Sequence, residues 1–120
     1  MSHQARTKTL AGVFAGAIVL SFSASAFAVD GIDAVAAKKL ARSESCLRCH
    51  NVSKKKEGPS YQSIAYKYKG QSDALDKLVQ HITSGNDMVK LSDGHEELHK
   101  ITKTKDMGQI RNLVSWILAQ

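Results

Sequence analysis

The chain has 120 residues, 42% hydrophobic and 6% aromatic, with 17 basic and 11 acidic residues for a net charge of +6. That length allows one domain with a modest core, and no repeat or low-complexity run suggests a second architecture. Aromatic stacking residues are sparse and the N-terminus reads as an export signal, which together argue against nucleic acid as a partner.

Residues 1–28 read as a secretory signal peptide. Arg6 and Lys8 form a positive n-region, Leu10 to Leu20 an apolar core, and Ala26-Phe27-Ala28 a small-x-small cleavage site. The apolar core is too short to span a bilayer comfortably. Cleavage after Ala28 leaves residues 29–120 as one exported domain, with no membrane span, in the bacterial periplasm. The leader holds two of the 17 basic residues and none of the acidic ones, so the mature chain stays positive.

Beyond the leader, the apolar residues recur at helical period. Ile32, Val35, Ala36 and Leu40 form an apolar stripe that predicts a helix whose last turn carries Cys46. A short helix is expected from about Ser60 to Lys69, stopped by Gly70. Leu75, Leu78, Val79 and Ile82 predict another, with Ser72 as N-cap and Gly85 past its end. Ile110, Leu113, Val114, Ile117 and Leu118 predict the last, with Trp116 on its flank. Strand signals are absent. The expected fold is all-α, three or four short helices, with the first and last crossing so that Trp116 or Leu113 meets the Val35-Ala36-Leu40 stripe.

Between the first two helices lies Cys46-Leu47-Arg48-Cys49-His50, which contains both cysteines of the chain. Two sulfurs separated by two residues can reach the two vinyl groups on one porphyrin edge, and the next residue then lies under the iron, where an imidazole can bind it. A disulfide here would close a strained, very short loop. A thioredoxin-like pair needs an α/β context, and a zinc knuckle needs further closely spaced ligands. One covalent haem c is therefore expected on Cys46 and Cys49, with His50 as the proximal iron ligand. A chain this short gains much by folding around so large an apolar ligand.

The amphipathic helix leading into that pentapeptide, the segments Gly58-Pro59-Ser60-Tyr61 and Ala65-Tyr66-Lys67-Tyr68-Lys69-Gly70, and the closing Leu113-Val114-Ser115-Trp116-Ile117-Leu118 together resemble the class I c-type cytochromes, in the small monohaem bacterial group. The resemblance covers nearly all of Ile32 to Gln120. It implies the cytochrome c fold and single-electron transfer between redox proteins, with no catalysis of bond chemistry. It also implies that the Pro59 carbonyl accepts a hydrogen bond from the second ring nitrogen of His50, fixing the imidazole and making it a stronger donor.

The sequence departs from the family at the second iron ligand, because it contains no Met-Pro. Counted back from Trp116, the family's distal position falls near His99-Lys100. His99 is the first candidate, with Met88 and His95 as alternatives, and bis-histidine ligation is the expectation. His81 reads as a flanking surface residue and Met107 as a packing or exposed one. The other class of function compatible with the motif is a gas-binding or sensor haem protein with an open or weakly held sixth position.

His95-Glu96-Glu97-Leu98-His99 also fits His-Glu-x-x-His, in which two histidines one helical turn apart bind zinc. Such a site needs a third protein ligand, and Asp106 is the only carboxylate downstream of His99. The match reads as accidental. Lys54-Lys55-Lys56, Lys67, Lys69, Lys90, Lys100, Lys103 and Lys105 would steer acidic redox partners if they surround an exposed haem edge, and otherwise keep the surface solvated. A monomer is expected.

Overall fold

The computed structural model describes residues 31–120, so the predicted leader over residues 1–28 lies outside the described residues. Four α-helices frame the domain: α1 Ala34–Ser43, α2 Tyr61–Tyr68, α3 Ala74–Ser84 and α4 Met107–Leu118. Three begin with a side-chain cap. Asp33 accepts from the Ala36 N–H, Ser60 from Ser63 and Asp106 from Gln109, each satisfying a backbone donor that the first turn leaves free. The N-cap of α3 is Asp73 rather than the expected Ser72. Gly85 follows α3 in the left-handed conformation at φ +69°, which ends the helix without a Cβ penalty.

The last helix organises the core. The helices α1, α2 and α3 all pack on α4. One cluster joins Ala37, Leu40 and Ala41 to Tyr61, Leu113, Trp116 and Ile117. A second joins Leu78 and Val79 to Ile110 and Val114. Crossing of α1 and α4 is as expected, but the buried face of α1 is shifted. Val35 is 75% exposed, while Ala37 and Ala41 are fully buried. Small residues let the α4 backbone approach closely, and Leu40 between them fills the space against Trp116. Trp116 itself is buried, not flanking. The crossing is fixed at one end by two hydrogen bonds of 2.9 Å, from the Asp33 N–H to Asn112 Oδ1 and from Asn112 Nδ2 to the Asp33 carbonyl.

Strands are present, contrary to expectation. Met88–Lys90 (β1) pairs antiparallel with Glu96–Leu98 (β2), with Met88 opposite Leu98 and Lys90 opposite Glu96. Each strand has three residues, and β2 is wholly exposed. In β1 only Val89 is partly buried, too little alternation for a sequence pattern to reveal. The pairing satisfies the backbone groups of a long connection between α3 and α4. Its tip is closed by hydrogen bonds from the Leu91 N–H to the His95 carbonyl and from the Gly94 N–H to the Leu91 carbonyl. The all-α class stands, with this hairpin added. Among the described residues, no helix is long and apolar enough to cross a membrane.

Candidate metal centre

The Cys-x-x-Cys-His segment forms where α1 stops. Instead of continuing to Cys46, the helix ends at Ser43, and Ser45 takes φ +63°, a left-handed turn that a helix cannot continue. Cys46–Arg48 then makes one 3₁₀ turn. The Cys49 and His50 N–H groups both donate to the Cys46 carbonyl, at 3.2 and 2.9 Å, which folds both thiols and the imidazole around a single turn. Burial pushes the Cys46 thiol above its ordinary range, and the charges of Glu44 and Cys49 add to the rise. A redox-active pair needs the opposite shift.

His50 is fixed by the loop that leads into α2. Its Nδ1–H donates to the Pro59 carbonyl at 2.7 Å, and the Gly58 N–H donates to the Cys49 carbonyl at 2.8 Å. Gly58 lies so close that a Cβ there would stand 2.6 Å from His50 Cε1. On its other side, the ring of Tyr61 stacks on His50, with centroids 5.6 Å apart and planes 20° apart, and meets Trp116 edge-on at 5.5 Å. Tyr61 Oη is buried without a hydrogen-bond partner, and burial raises its pKa far above the usual phenol value.

His99 follows β2 and faces His50, with ring centroids 6.1 Å apart and a tilt of 48°. A metal ion joining two imidazoles through bonds of about 2.0 Å holds their centroids about 6 Å apart. Burial, then the nearby His81 and His50, lower the pKa of His99. The shift favours the neutral imidazole, the form that binds a metal. His99 Nδ1 is buried and unpartnered. Of the other distal candidates, Met88 is 56% exposed on β1, and His95, exposed at the hairpin tip, turns its Nδ1 to Asp93 at 2.6 Å. Leu98 and Ile101, close to His99 in the chain, and Met88, paired with Leu98 across the hairpin, carry exposed apolar side chains, as expected for a segment that borders a flat apolar ligand.

The zinc-type motif does not assemble. Glu96–Leu98 is a strand, so His95 and His99 are not one helical turn apart. Among the described residues, no group of three or more metal-binding side chains is clustered. Met107 is half-exposed at the start of α4.

Sequence reasoning missed His81. Far from being a plain surface residue, it is partly buried, its ring centroid is 4.3 Å from that of His99, and its Nδ1 bonds Asp87 Oδ2 at 2.5 Å. Its place three residues after Leu78 and beside Ile82 was the available signal. Glu57 was also missed. Its carboxylate accepts from the Ser92 N–H at 2.9 Å and Oγ at 2.6 Å, tying the loop after the cysteine motif to the hairpin, and these bonds lower its pKa. Lys54 to Lys56, Lys67, Lys69, Lys90, Lys100, Lys103 and Lys105 are all exposed. None of them pairs with a carboxylate among the described residues.

Comparison with known proteins identifies the family. A family model described as cytochrome c matches residues 34–120. A cytochrome c2 from Rhodocyclus tenuis is 35% identical over 67% of this chain and 87% of its own. Among solved structures, the class 1 cytochrome MtoD from Sideroxydans lithotrophicus ES-1 is 50% identical over 73% of this chain and 96% of its own, with a TM-score of 0.69. Wild-type cytochrome c552 of Nitrosomonas europaea is 27% identical over 68% of this chain and 95% of its own, with a TM-score of 0.53. The chain belongs to the cytochrome c family, whose members carry one covalent haem c and transfer electrons without being enzymes.

Proposed function

We propose that the protein is a periplasmic single-electron carrier in which Cys46 and Cys49 hold the haem by thioether bonds and His50 and His99 bind its iron from opposite faces. When bound, the haem supplies one-electron redox chemistry. The 6.1 Å apposition of His50 and His99 carries this reading. The Pro59 carbonyl holds the His50 ring in one orientation and increases its donor strength. A second imidazole in place of a thioether favours the oxidised state, so the carrier works at low potential. The alternative of a gas-binding or sensor protein is not favoured, because the His99 imidazole lies opposite His50.

The signal-peptide pattern of residues 1–28 supports export to the periplasm, where covalent haem attachment takes place. Exposed, unpaired lysines in the loops after the cysteine motif and around the hairpin support docking of acidic redox partners. The ligand assignment is tested by substitution. His99→Ala should convert the ferric spectrum from low to high spin and open the reduced iron to carbon monoxide, while Met88→Ala and His95→Ala leave it unchanged. A low-spin spectrum in His99→Ala, with high spin in Met88→Ala, would transfer the role to Met88 and raise the expected potential.

A further inference from the structure

The two facing imidazoles are held by different means. His50 is fixed through its ring nitrogen by the Pro59 carbonyl. His99 has no such bond, since its Nδ1 is buried without a partner, and it follows a run of exposed residues, 92–98. Its contact with His81 takes the place of that bond. The His81 ring lies 4.3 Å from the His99 ring, centroid to centroid, at a 42° tilt. The His81 ring is clamped in turn by the Asp87 carboxylate at 2.5 Å. Asp87 also reaches His99 directly, because its carbonyl accepts the His99 N–H at 2.8 Å. One residue therefore fixes both the backbone of His99 and the ring that packs on it.

We propose that His81, held by Asp87, is a positioning residue that sets the rotation of the His99 imidazole relative to His50. This rests on His99 being the distal iron ligand. In that arrangement α3 supplies a rigid wall for a ligand carried on an exposed hairpin. A neighbour that fixes a ligand's orientation influences the metal without touching it. The flat face packs on His99 and the Asp87 bond holds that face in place, so a face without the anchor recovers part of the role.

The test uses the haem-loaded protein and reads electron paramagnetic resonance of the ferric form, whose low-field g line responds to the relative rotation of two axial imidazoles. It also reads the rate of carbon monoxide binding to the reduced form. His81→Ala should stay low-spin, with the g line shifted and broadened and the carbon monoxide rate raised about tenfold, at the low end of the effect of losing an outer partner of a metal ligand. His81→Phe should restore both readings towards wild type. Asp87→Ala, which frees His81 but keeps its flat ring and the carbonyl that holds His99, should move both readings part of the way in the same direction as His81→Ala, and serves if that variant fails to mature. Unmoved readings in His81→Ala and Asp87→Ala, with high spin in His99→Ala, overturn the positioning role and leave the ligand assignment intact. A low-spin His99→Ala overturns the assignment and the positioning role together.

Discussion

Gly58→Ala isolates the proximal side of the site. The added Cβ would stand 2.6 Å from His50 Cε1 and 2.9 Å from Nδ1, about 1 Å inside ordinary carbon contact. The ring cannot simply step away, because its Nδ1 bonds the carbonyl of Pro59, the residue next to Gly58. Movement of the loop would instead strain the bond from the Gly58 N–H to the Cys49 carbonyl. Overpacking of this kind costs about 1–3 kcal/mol, and loss of one hydrogen bond adds about 1 kcal/mol. The smaller unfolded-state entropy of alanine returns about 0.4–1 kcal/mol. The expected net loss is about 1–3 kcal/mol, and each kcal/mol lowers the melting temperature of a domain this size by about 4–8 °C. Thermal melts of the haem-loaded protein, with the ferric spectrum recorded alongside, measure both effects. Gly70→Ala is the control: it has φ +77° and nothing within 4 Å of the added Cβ, so it should destabilise through backbone strain without changing the spectrum. A Gly58→Ala protein that melts with wild type and keeps its spectrum would refute the steric argument.

Replacing Cys46 and Cys49 together with Ala should abolish the haem-stained band on a denaturing gel, and a wild-type haem that extracts into acidified organic solvent would contradict thioether attachment. The association rate with an acidic redox partner should fall as added salt shortens the Debye length from ~30 Å to ~8 Å, and charge reversal at Lys54 to Lys56 should lower it at low salt; a rate indifferent to both leaves the lysines as solvating charge. The Gln109 backbone N–H, followed by its side chain, holds the Asp106 carboxyl below the usual range. Its stabilisation is thus complete above the unfolded pKa of about 3.9 and lost as pH falls through the depressed folded value. Melts should accordingly show Asp106→Ala weaker than wild type at pH 7 and the gap closing towards pH 2; an equal gap at both ends would exclude the linkage.

The sequence by itself determined the helices and the Cys-x-x-Cys-His turn, because each is written in short-range spacing. The stripes Leu78, Val79 and Ile110, Leu113, Val114 repeat at helical period, and Cys46, Cys49 and His50 fit on one turn whatever surrounds them. It also singled out His99, by counting from Trp116 along a chain whose order it shares with its family. Only the tertiary structure decided which face of α1 is buried, since hydrophobicity alone favours Val35 over Ala37, whereas close approach of α4 selects the smaller alanines. The hairpin likewise depends on pairing between two three-residue segments, Met88–Lys90 and Glu96–Leu98, too short for a strand period to show. His81 and Asp87 acquired their place beside His99 in the same way, through contacts between α3 and a loop that only the assembled fold brings back to it. Local spacing specifies local structure, whereas a contact across the fold depends on how the packed elements cross, and no single segment encodes that.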